Sequence, residues 1–309
     1  MKAFRFHAFG GPEVLQLEDI PVPELAGDQL LIRVHAAGVN PIDWKIRAGA
    51  FRVPGLTLPA RVGIDLAGVV EQIGSGSSPF KVGDAVFGRG DGSYAEFAAA
   101  SPEMLGVKPR CLDDIHAAAV PVVALTAWEA LFGSGRAPSI DLAPGQTILI
   151  HGAGGGVGSF AVQFAKWKGA RVLAHTRSHQ ADYVRSLGAD VVIDSDRQRF
   201  EDTKEKVDAV LDLVGGDLQQ RSWQILPNGG VLASTVLPPP VDEAAARGIR
   251  GIMVILSGSR RELEQIGSLI DQQRVRVFVG AVLPLAGARR AHELGEGAQV
   301  RGKLVLQIA

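Results

Sequence analysis

The fold is decided by the stretch ILIHGAGGGVG, residues 148–158. A short apolar run ends in five glycines, and apolar residues then recur at spacings of three and four, as in an amphipathic helix. Strand, glycine turn and helix in this order are typical of a pyrophosphate-binding loop, because glycine lets the backbone approach the ligand and the helix N-terminus supplies amide N–H groups. The alternative is an ordinary structural turn. We predict a dinucleotide site here.

Within this loop, Gly155 and Gly158 stand at the second and third glycine positions of the pattern G-x-G-x-x-G, and Ala153 stands at the first. The pattern is therefore relaxed, but a preceding strand and a following helix are the context that the motif requires. The loop residues that we expect to bind the cofactor are Gly154, Gly155, Gly156 and Val157.

Strands and helices alternate around the loop. Strand candidates are residues 147–151, 171–175, 191–194, 209–213, 231–235 and 252–256, and helix candidates are 118–132, 156–168, 180–187, 216–225 and 259–273. This rhythm predicts a doubly wound parallel sheet of the Rossmann type. The first third has short β-branched runs between turn signals, which favours a compact, barrel-like antiparallel domain.

The tail of the chain returns to strand-like segments at 275–278 and 303–308. We expect it to close back onto the first domain, because the alternation of strands and helices does not continue there. The predicted fold is therefore α/β. Residues 1–122 and 273–309 form a discontinuous β-barrel domain, and residues 123–272 form a Rossmann domain.

The composition excludes several classes of protein. The chain has 309 residues with 38 glycines, a single cysteine and a formal net charge of −1. One cysteine excludes an intramolecular disulfide framework and a multi-cysteine zinc module. A charge near zero gives no general attraction to nucleic acid or anionic membranes. The N-terminal residues lack the apolar core of a signal peptide and no apolar run is long enough to cross a bilayer, so we expect a cytoplasmic protein.

The residues after the second strand of the Rossmann domain indicate which cofactor binds. An NAD site usually has an Asp or Glu there, on the ribose 2′-hydroxyl. This chain has the sequence AHTRS at 174–178 instead. A guanidinium binds phosphate as a charged fork. We therefore predict NADP(H), with Arg177 on the 2′-phosphate and the hydroxyls of Thr176 and Ser178 beside it. The alternative is that Arg177 is a solvated loop arginine.

The chain resembles the zinc-free, quinone-oxidoreductase-like (zeta-crystallin-like) members of the medium-chain dehydrogenase/reductase superfamily. The resemblance rests on the order of several motifs besides the glycine loop: AGVNPID at 37–43, GIDLAGVV at 63–70, FKVGDAV at 80–86, GSYAE at 92–96, ALTAW at 124–128 and GKLVL at 302–306. It implies a GroES-like catalytic domain, a Rossmann domain and an active-site cleft between them. It also implies a homodimer joined along the edge of the Rossmann sheet, with 252–256 as the candidate edge strand.

The resemblance also separates this chain from zinc-dependent relatives. Those proteins hold a catalytic zinc with an early Cys and a Gly-His-Glu stretch, whereas this chain has Asn40 near the first position and Gly63-Ile64-Asp65 at the second. Neither place offers a thiolate or an imidazole, so three side-chain ligands cannot be assembled there. We predict no metal.

Two residues near the first of these positions are candidates for the chemistry. By resemblance, Asn40 faces the nicotinamide or the substrate carbonyl, and the alternative is an Asn that stabilises a turn before Pro. Asp43 could orient a water or Asn40, although an Asp there more often caps the helix that follows. The remaining candidate cofactor ligands, placed by resemblance or at strand ends, are Phe51, Thr126, Tyr183, Val214, Thr235, Val236 and Leu256.

The sequence as a whole predicts an NADPH-dependent oxidoreductase that transfers hydride to quinones or α,β-unsaturated carbonyls without zinc. Its partner would be a small quinone or enone, and neither a membrane nor nucleic acid is expected. Two alternatives stay open. One is an enoyl-thioester reductase, which would need a long acyl channel. The other is a protein that binds RNA under the control of NADPH without significant catalysis.

Overall fold

The computed structural model describes residues 1–297 and 300–309. The strands are β1 (Lys2–Phe6), β2 (Leu15–Asp19), β3 (Leu30–Val39), β4 (Ala60–Arg61), β5 (Asp65–Ile73), β6 (Ala85–Arg89), β7 (Phe97–Ala100), β8 (Leu105–Val107), β9 (Thr147–His151), β10 (Arg171–Thr176), β11 (Val191–Asp194), β12 (Ala209–Asp212), β13 (Val231–Ser234), β14 (Arg250–Met253), β15 (Val279–Pro284) and β16 (Lys303–Gln307). The α-helices are α1 (Pro41–Arg47), α2 (Asp114–Ala118), α3 (Pro121–Leu131), α4 (Gly156–Trp167), α5 (Ala181–Ser186), α6 (Asp217–Ser222), α7 (Val241–Ala246), α8 (Arg260–Asp271) and α9 (Ala288–Glu296).

The chain divides into two compact units, residues 1–122 with 259–309 and residues 123–258. The second unit contains a six-stranded sheet with the order β11-β10-β9-β12-β13-β14, and every pairing is parallel. This is the strand order of a Rossmann fold, and it confirms the predicted doubly wound sheet. The inner strands are apolar runs because residues such as Leu149, Val210 and Leu232 are fully buried in one core.

The first unit is built mainly from antiparallel strands, as predicted. A seven-stranded sheet follows the path β15-β16-β3-β5-β6-β8, with β7 paired to β3, and a smaller sheet has the order β2-β1-β4. The exception is the parallel pair β15 and β16. The antiparallel pairing of β16 with β3 places the end of the chain in the same sheet as its first third.

The return of the chain to the first unit starts at residue 259 rather than at the expected 273. The reason is the packing of α8. Its Leu263 lies against Gly106, and its Gly267 faces the ring of Phe87, so this helix belongs to the first unit. The strand expected at 275–278 is wrong, because β15 begins at Val279.

The helix expected at 118–132 is α3, which begins at Pro121, and Ala118 is instead the last residue of α2. The break comes before Pro121, which has no N–H group to continue the hydrogen bonding of α2. Within the described ranges 1–297 and 300–309, no helix is both long and apolar enough to cross a membrane.

Parallel strands bring their carboxyl ends to one edge of the sheet. In the second unit this edge therefore carries the glycine loop after β9, residues 177–180 after β10, residues 213–216 after β12 and residues 235–237 after β13. Most of the residues predicted to bind the cofactor lie on these four segments.

Candidate functional site

The glycine loop is held by the neighbouring strand. The backbone N–H groups of Gly152 and Ala153 both donate to the carbonyl of His175, at 3.1 and 3.2 Å. A Cβ at Gly158 would lie 2.3 Å from the oxygen of Gly152, whereas a Cβ at Gly155 would meet nothing closer than that same oxygen at 3.3 Å. The fold itself therefore requires glycine at 158. At 155 a Cβ would fit only if that oxygen moved by a few tenths of an ångström, so a side chain there would crowd the loop where we expect a pyrophosphate.

Gly155 is also the N-cap of α4, a helix of twelve residues. Glycine has no side chain that could accept from the N–H groups of the first turn, which includes Gly156 and Val157. These N–H groups and the helix dipole favour a bound anion at this point.

A glutamine that the sequence analysis missed lies over the loop. The side chain of Gln180 covers Gly154, where a Cβ would lie 2.5 Å from Gln180 Oε1. The same Oε1 accepts from the hydroxyl of Thr176 at 2.9 Å. Gln180 therefore links the end of β10 to the glycine loop. Only its polar character in the turn after a strand could have drawn attention to it.

The three residues predicted to bind a 2′-phosphate differ in whether their donor groups already have a partner within the protein. Arg177 is exposed, and among the described residues no carboxylate forms an ion pair with it. The hydroxyl of Thr176 donates to Gln180, and the hydroxyl of Ser178 donates to Asp194. The expectation that both hydroxyls are available to a phosphate is therefore wrong for this conformation. A surface cavity of about 380 Å³ borders Ser178 and Asp194 but not the glycine loop.

A buried aspartate that the sequence analysis also missed organises the loops after β12 and β13. The carboxylate of Asp212 accepts from the backbone N–H groups of Val214 and Gly215, at 3.0 and 2.8 Å. It also accepts from the hydroxyl of Ser234 at 3.0 Å and from the amide of Gln219 at 3.3 Å. These bonds fix where Val214, which is half exposed, meets the edge of the sheet.

The other predicted cofactor ligands lie in different settings. Thr235 and Val236 follow β13 at the same edge, whereas Leu256 lies three residues beyond the end of β14. Tyr183 is 5% exposed in α5, which leaves little surface for contact with a phosphate or adenine. Phe51 and Thr126 lie in other segments: the half-exposed Phe51 follows α1 in the first unit, and Thr126 lies within α3.

Two buried histidines lie next to the glycine loop, at the end of β9 and near the end of β10. His151 Nδ1 lies 2.9 Å from His175 Nδ1, and His151 Nε2 lies 2.9 Å from the hydroxyl of Ser222. The single hydroxyl hydrogen of Ser222 is donated to the carbonyl of Leu218, so His151 Nε2 is the donor in its bond to Ser222. In a neutral ring the other nitrogen is then an acceptor, so His151 Nδ1 accepts from His175. Burial, followed by the charges of His175 and Arg221, lowers the pKa of His151 to about 3. Both rings are therefore neutral in this arrangement.

We expect acid to weaken this histidine pair. The unfolded chain binds a proton at His151 below about pH 6.5, whereas the folded protein does not until about pH 3, so stability is present above pH 6.5 and is lost as the pH falls. His151→Asn removes this proton. The difference in unfolding free energy between wild type and His151→Asn should therefore shrink below pH 6.5, by up to about 1.4 kcal/mol per pH unit.

Urea unfolding between pH 7.5 and pH 4.5 measures this difference. His179→Asn serves as the control, because His179 is an exposed histidine of the same unit. If the difference in unfolding free energy between wild type and His151→Asn stays constant over this pH range, protonation of His151 does not destabilise the folded protein.

The first unit contains a second polar cluster, around Asn40 at the N-terminus of α1. The ammonium of Lys303 donates to Asn40 Oδ1 at 2.6 Å, to Asp65 Oδ2 at 3.2 Å and to the carbonyl of Val39 at 2.9 Å. Asn40 Nδ2 donates to Asp65 Oδ2 at 2.8 Å, and Asp65 Oδ1 accepts from the N–H of Val122 at 2.8 Å. The side chains of Asn40, Asp65 and Lys303 are buried, so this cluster fixes the orientation of the Asn40 amide.

Asp43 lies beside this cluster in the first turn of α1. Its Oδ2 accepts from the backbone N–H of Asn40 at 2.8 Å and from the hydroxyl of Tyr94 at 3.0 Å. Asn40 is the N-cap, so Asp43 supports the helix start from the first turn rather than occupying the N-cap. Burial and the charge of Asp65 raise the pKa of Asp43 to about 7, although the N–H of Asn40 and the ammonium of Lys303 oppose this.

Asn40 and Asp65, which stand at the two positions where zinc-dependent relatives have metal ligands, are therefore hydrogen-bonded to each other. Asn40 and Asp65 share the ammonium of Lys303, a positive charge that repels a second cation at this place. Across residues 1–297 and 300–309, no group of three or more His, Cys, Asp or Glu side chains could hold a metal ion.

Comparison with known protein families gives two matches. The family of alcohol dehydrogenase GroES-like domains matches residues 26–110, and the family described as zinc-binding dehydrogenase matches residues 187–306. The first matched range falls in the antiparallel part of the first unit, and the second begins just after α5 and ends within β16.

Individual proteins match over nearly the whole chain. The quinone oxidoreductase of Mus musculus is 35% identical over 99% of this chain and 97% of that protein. The NADPH-dependent alkenal/one oxidoreductase, chloroplastic, of Arabidopsis thaliana is 32% identical over 99% of this chain and 79% of that protein. The solved structure of the quinone oxidoreductase from Coxiella burnetii has a TM-score of 0.93 and 34% identity, and the match covers 100% of this chain and 99% of that chain. The chain belongs to the quinone-oxidoreductase-like family of medium-chain dehydrogenases/reductases.

Proposed function

We propose that this protein is an NADPH-dependent oxidoreductase that reduces quinones or α,β-unsaturated carbonyls without zinc. The observation that carries the proposal is the edge of the parallel sheet, where the glycine N-cap of α4 and the guanidinium of Arg177, which has no ion-pair partner among the described residues, follow neighbouring strands. The names of the relatives support the choice of acceptor, since one is a quinone oxidoreductase and another an NADPH-dependent alkenal/one oxidoreductase. NADPH bound at this edge supplies the hydride.

The pyrophosphate would bind at the N-terminus of α4, over the residues Gly154, Gly155, Gly156 and Val157, and the side chain of Gln180 that covers Gly154 would have to move aside. Arg177 binds the 2′-phosphate. The backbone groups of Val214, Thr235, Val236 and Leu256 hold the remaining parts of the cofactor along the carboxyl edge of the sheet.

In the first unit, the proposal assigns a hydrogen-bond donor to Asn40. Lys303 takes the amide oxygen and Asp65 takes one amide hydrogen, so one hydrogen on Nδ2 has no partner among the described residues. That N–H would donate to the carbonyl oxygen, on which negative charge develops during the reduction. Asp43 would orient Asn40 through its bond to the backbone N–H. Because Asn40 is fully buried here, reaching this hydrogen requires neighbouring side chains to move.

The proposal also includes a homodimer joined at the edge of the parallel sheet. The edge strand is β14, and Met253 and Ile255 are exposed at and just beyond its end. Apolar side chains beside an open strand edge favour pairing with a second copy.

Replacing Arg177 with alanine should weaken the binding of NADPH and leave that of NADH unchanged. A hydrogen-bonded charge pair with phosphate contributes enough that we expect the Kd for NADPH to rise about 10- to 100-fold. Titration calorimetry with both cofactors measures this. Arg185→Ala is the control, because Arg185 is an exposed arginine of the same unit that already pairs with Asp182. Equal losses for both cofactors would contradict the role of Arg177.

Removing metal ions should leave the activity unchanged. Lys303 already supplies the positive charge beside Asn40 and Asp65, so the proposed reduction needs no zinc. We expect the same kcat before and after dialysis against a chelator. A loss of activity that added Zn²⁺ restores would contradict zinc independence.

The proposal as a whole is tested by following NADPH oxidation with 1,4-quinones and with short alkenals. We expect turnover with at least one of the two acceptor classes. A protein that binds NADPH but turns over neither class would overturn the proposed function.

A further inference from the structure

Ser178, which follows Arg177, has both of its hydrogen-bond donors bound to carboxylates. Its hydroxyl lies 2.8 and 2.7 Å from the two carboxylate oxygens of Asp194, and its backbone N–H donates to Asp196 Oδ2 at 2.9 Å. A phosphate next to Arg177 would seek these same two donors, because phosphate oxygens only accept. Two side chains of the protein therefore stand where an anionic ligand would bind.

The strand pairing fixes these carboxylates in place. Thr176 at the end of β10 lies opposite Asp194 at the end of β11, and the N–H of Ser195 donates to the carbonyl of Thr176 at 2.8 Å. Asp194 Oδ1 in turn accepts from the N–H of Asp196 at 3.0 Å. The segments after β10 and β11 thus form one hydrogen-bonded unit.

The charges around Asp196 favour its ionised form. The N–H of Ser178 lowers the pKa of the Asp196 carboxyl most, burial opposes this, and the hydroxyl of Ser178 and the charges of Arg177 and His179 lower the pKa further. Asp196 is therefore an anion at neutral pH, close enough to Arg177 for their charges to interact. Asp194 has its own basic neighbour, Arg197, at 3.7 Å.

We propose that Asp196 is a specificity-determining residue, which together with Asp194 substitutes for a phosphate at the donors of Ser178 and so limits the preference for a 2′-phosphorylated cofactor. This inference rests on the proposed function, in which Arg177 binds the 2′-phosphate. With the donors of Ser178 occupied, the 2′-phosphate depends on Arg177, and it is bound against the negative charge of Asp196. A cofactor with a free 2′-hydroxyl does not meet this repulsion.

The test is the affinity for 2′,5′-ADP and for 5′-AMP, which differ only in the 2′-phosphate. Asp196→Asn removes the charge and keeps an oxygen that can accept from the N–H of Ser178. We expect 2′,5′-ADP to bind this variant about threefold to tenfold more tightly than wild type, and 5′-AMP to bind equally. The gain should shrink in high salt, because the interaction is between exposed charges.

Asp182→Asn is the matched control. Asp182 is an exposed aspartate of the same unit, and its partner is Arg185, so neither affinity should change. Thermal unfolding of Asp196→Asn confirms that the variant is folded as wild type is.

Two outcomes separate this inference from the proposed function. In the first, wild type binds 2′,5′-ADP, but Asp196→Asn either binds it no more tightly or gains the same affinity for 5′-AMP. The proposed role of Asp196 is then wrong, whereas the proposed cofactor site is not contradicted. If wild type binds neither nucleotide, the proposed cofactor site is wrong, and the role of Asp196 is wrong with it.

Discussion

Replacing Lys303 with methionine is expected to lower the free energy of unfolding by about 3–5 kcal/mol at pH 7.5, as for other buried ion pairs that lose one partner. The ammonium of Lys303 is the only cation bonded to Asp65 among the described residues, and Asp65 is fully buried. Its loss also leaves Asn40 Oδ1 and the carbonyl of Val39 without that donor. Urea unfolding measures the change.

Two further variants distinguish the loss of charge from the loss of packing. Lys303→Arg keeps the charge and should cost less than Lys303→Met. Adding Asp65→Asn to Lys303→Met removes the unpaired carboxylate, so the double variant should regain part of the lost stability. If Lys303→Met costs less than about 1 kcal/mol, or if the costs of the two substitutions simply add, the cluster is not the buried ion pair described here.

Replacing Gly155 with valine is expected to weaken NADPH binding by at least about 100-fold, equivalent to roughly 2.7 kcal/mol of binding free energy. The valine side chain would project from the N-cap of α4, where we propose that the pyrophosphate binds. Its cost in free energy of unfolding should be smaller than that of a side chain at 158, because the backbone at 155 has φ −79° and ψ 179°, a conformation that any residue adopts, and its Cβ would lie 3.3 Å rather than 2.3 Å from the oxygen of Gly152. Calorimetric titration and urea unfolding give the two quantities.

Gly158→Ala is the matched variant, for which the larger loss of stability is expected. Its Cβ would lie 2.3 Å from the oxygen of Gly152 and 2.7 Å from the Cα of Ala153, so α4 has to move away from the loop. We expect a loss of about 1–3 kcal/mol in unfolding free energy, as for other overpacked sites. If Gly155→Val binds NADPH as wild type does, the pyrophosphate is not bound over this loop.

The parts of the fold that the sequence predicted well are those that depend on local patterns. The strand at 147–151 and the start of the helix at Gly156 agree with the structure, because an apolar run, a glycine turn and a helical spacing are all visible within a few residues. The strand candidates of the parallel sheet agree with β9 to β14 to within a few residues for the same reason.

The missed features depend on residues that are far apart in the sequence. Lys303 meets Asn40 and Asp65 across more than two hundred positions, and no local pattern indicates that contact. The carboxylates that bind Ser178 lie at or just after the end of the next strand of the sheet. Only the pairing of the two strands shows that these carboxylates occupy the predicted phosphate donors. The helix α8 has the spacing of a Rossmann helix, yet it packs in the other unit.

The most direct test of the proposed reaction is to follow the hydride itself. Wild-type protein is incubated with a short alkenal and NADPH that carries deuterium at C4 of the nicotinamide, using each of the two stereoisomers in turn. We expect one of the two to deliver a single deuterium to the β-carbon of the saturated product, as mass spectrometry and NMR would show. A reduced product without deuterium at that carbon from either isomer would contradict hydride transfer from NADPH to a conjugated acceptor.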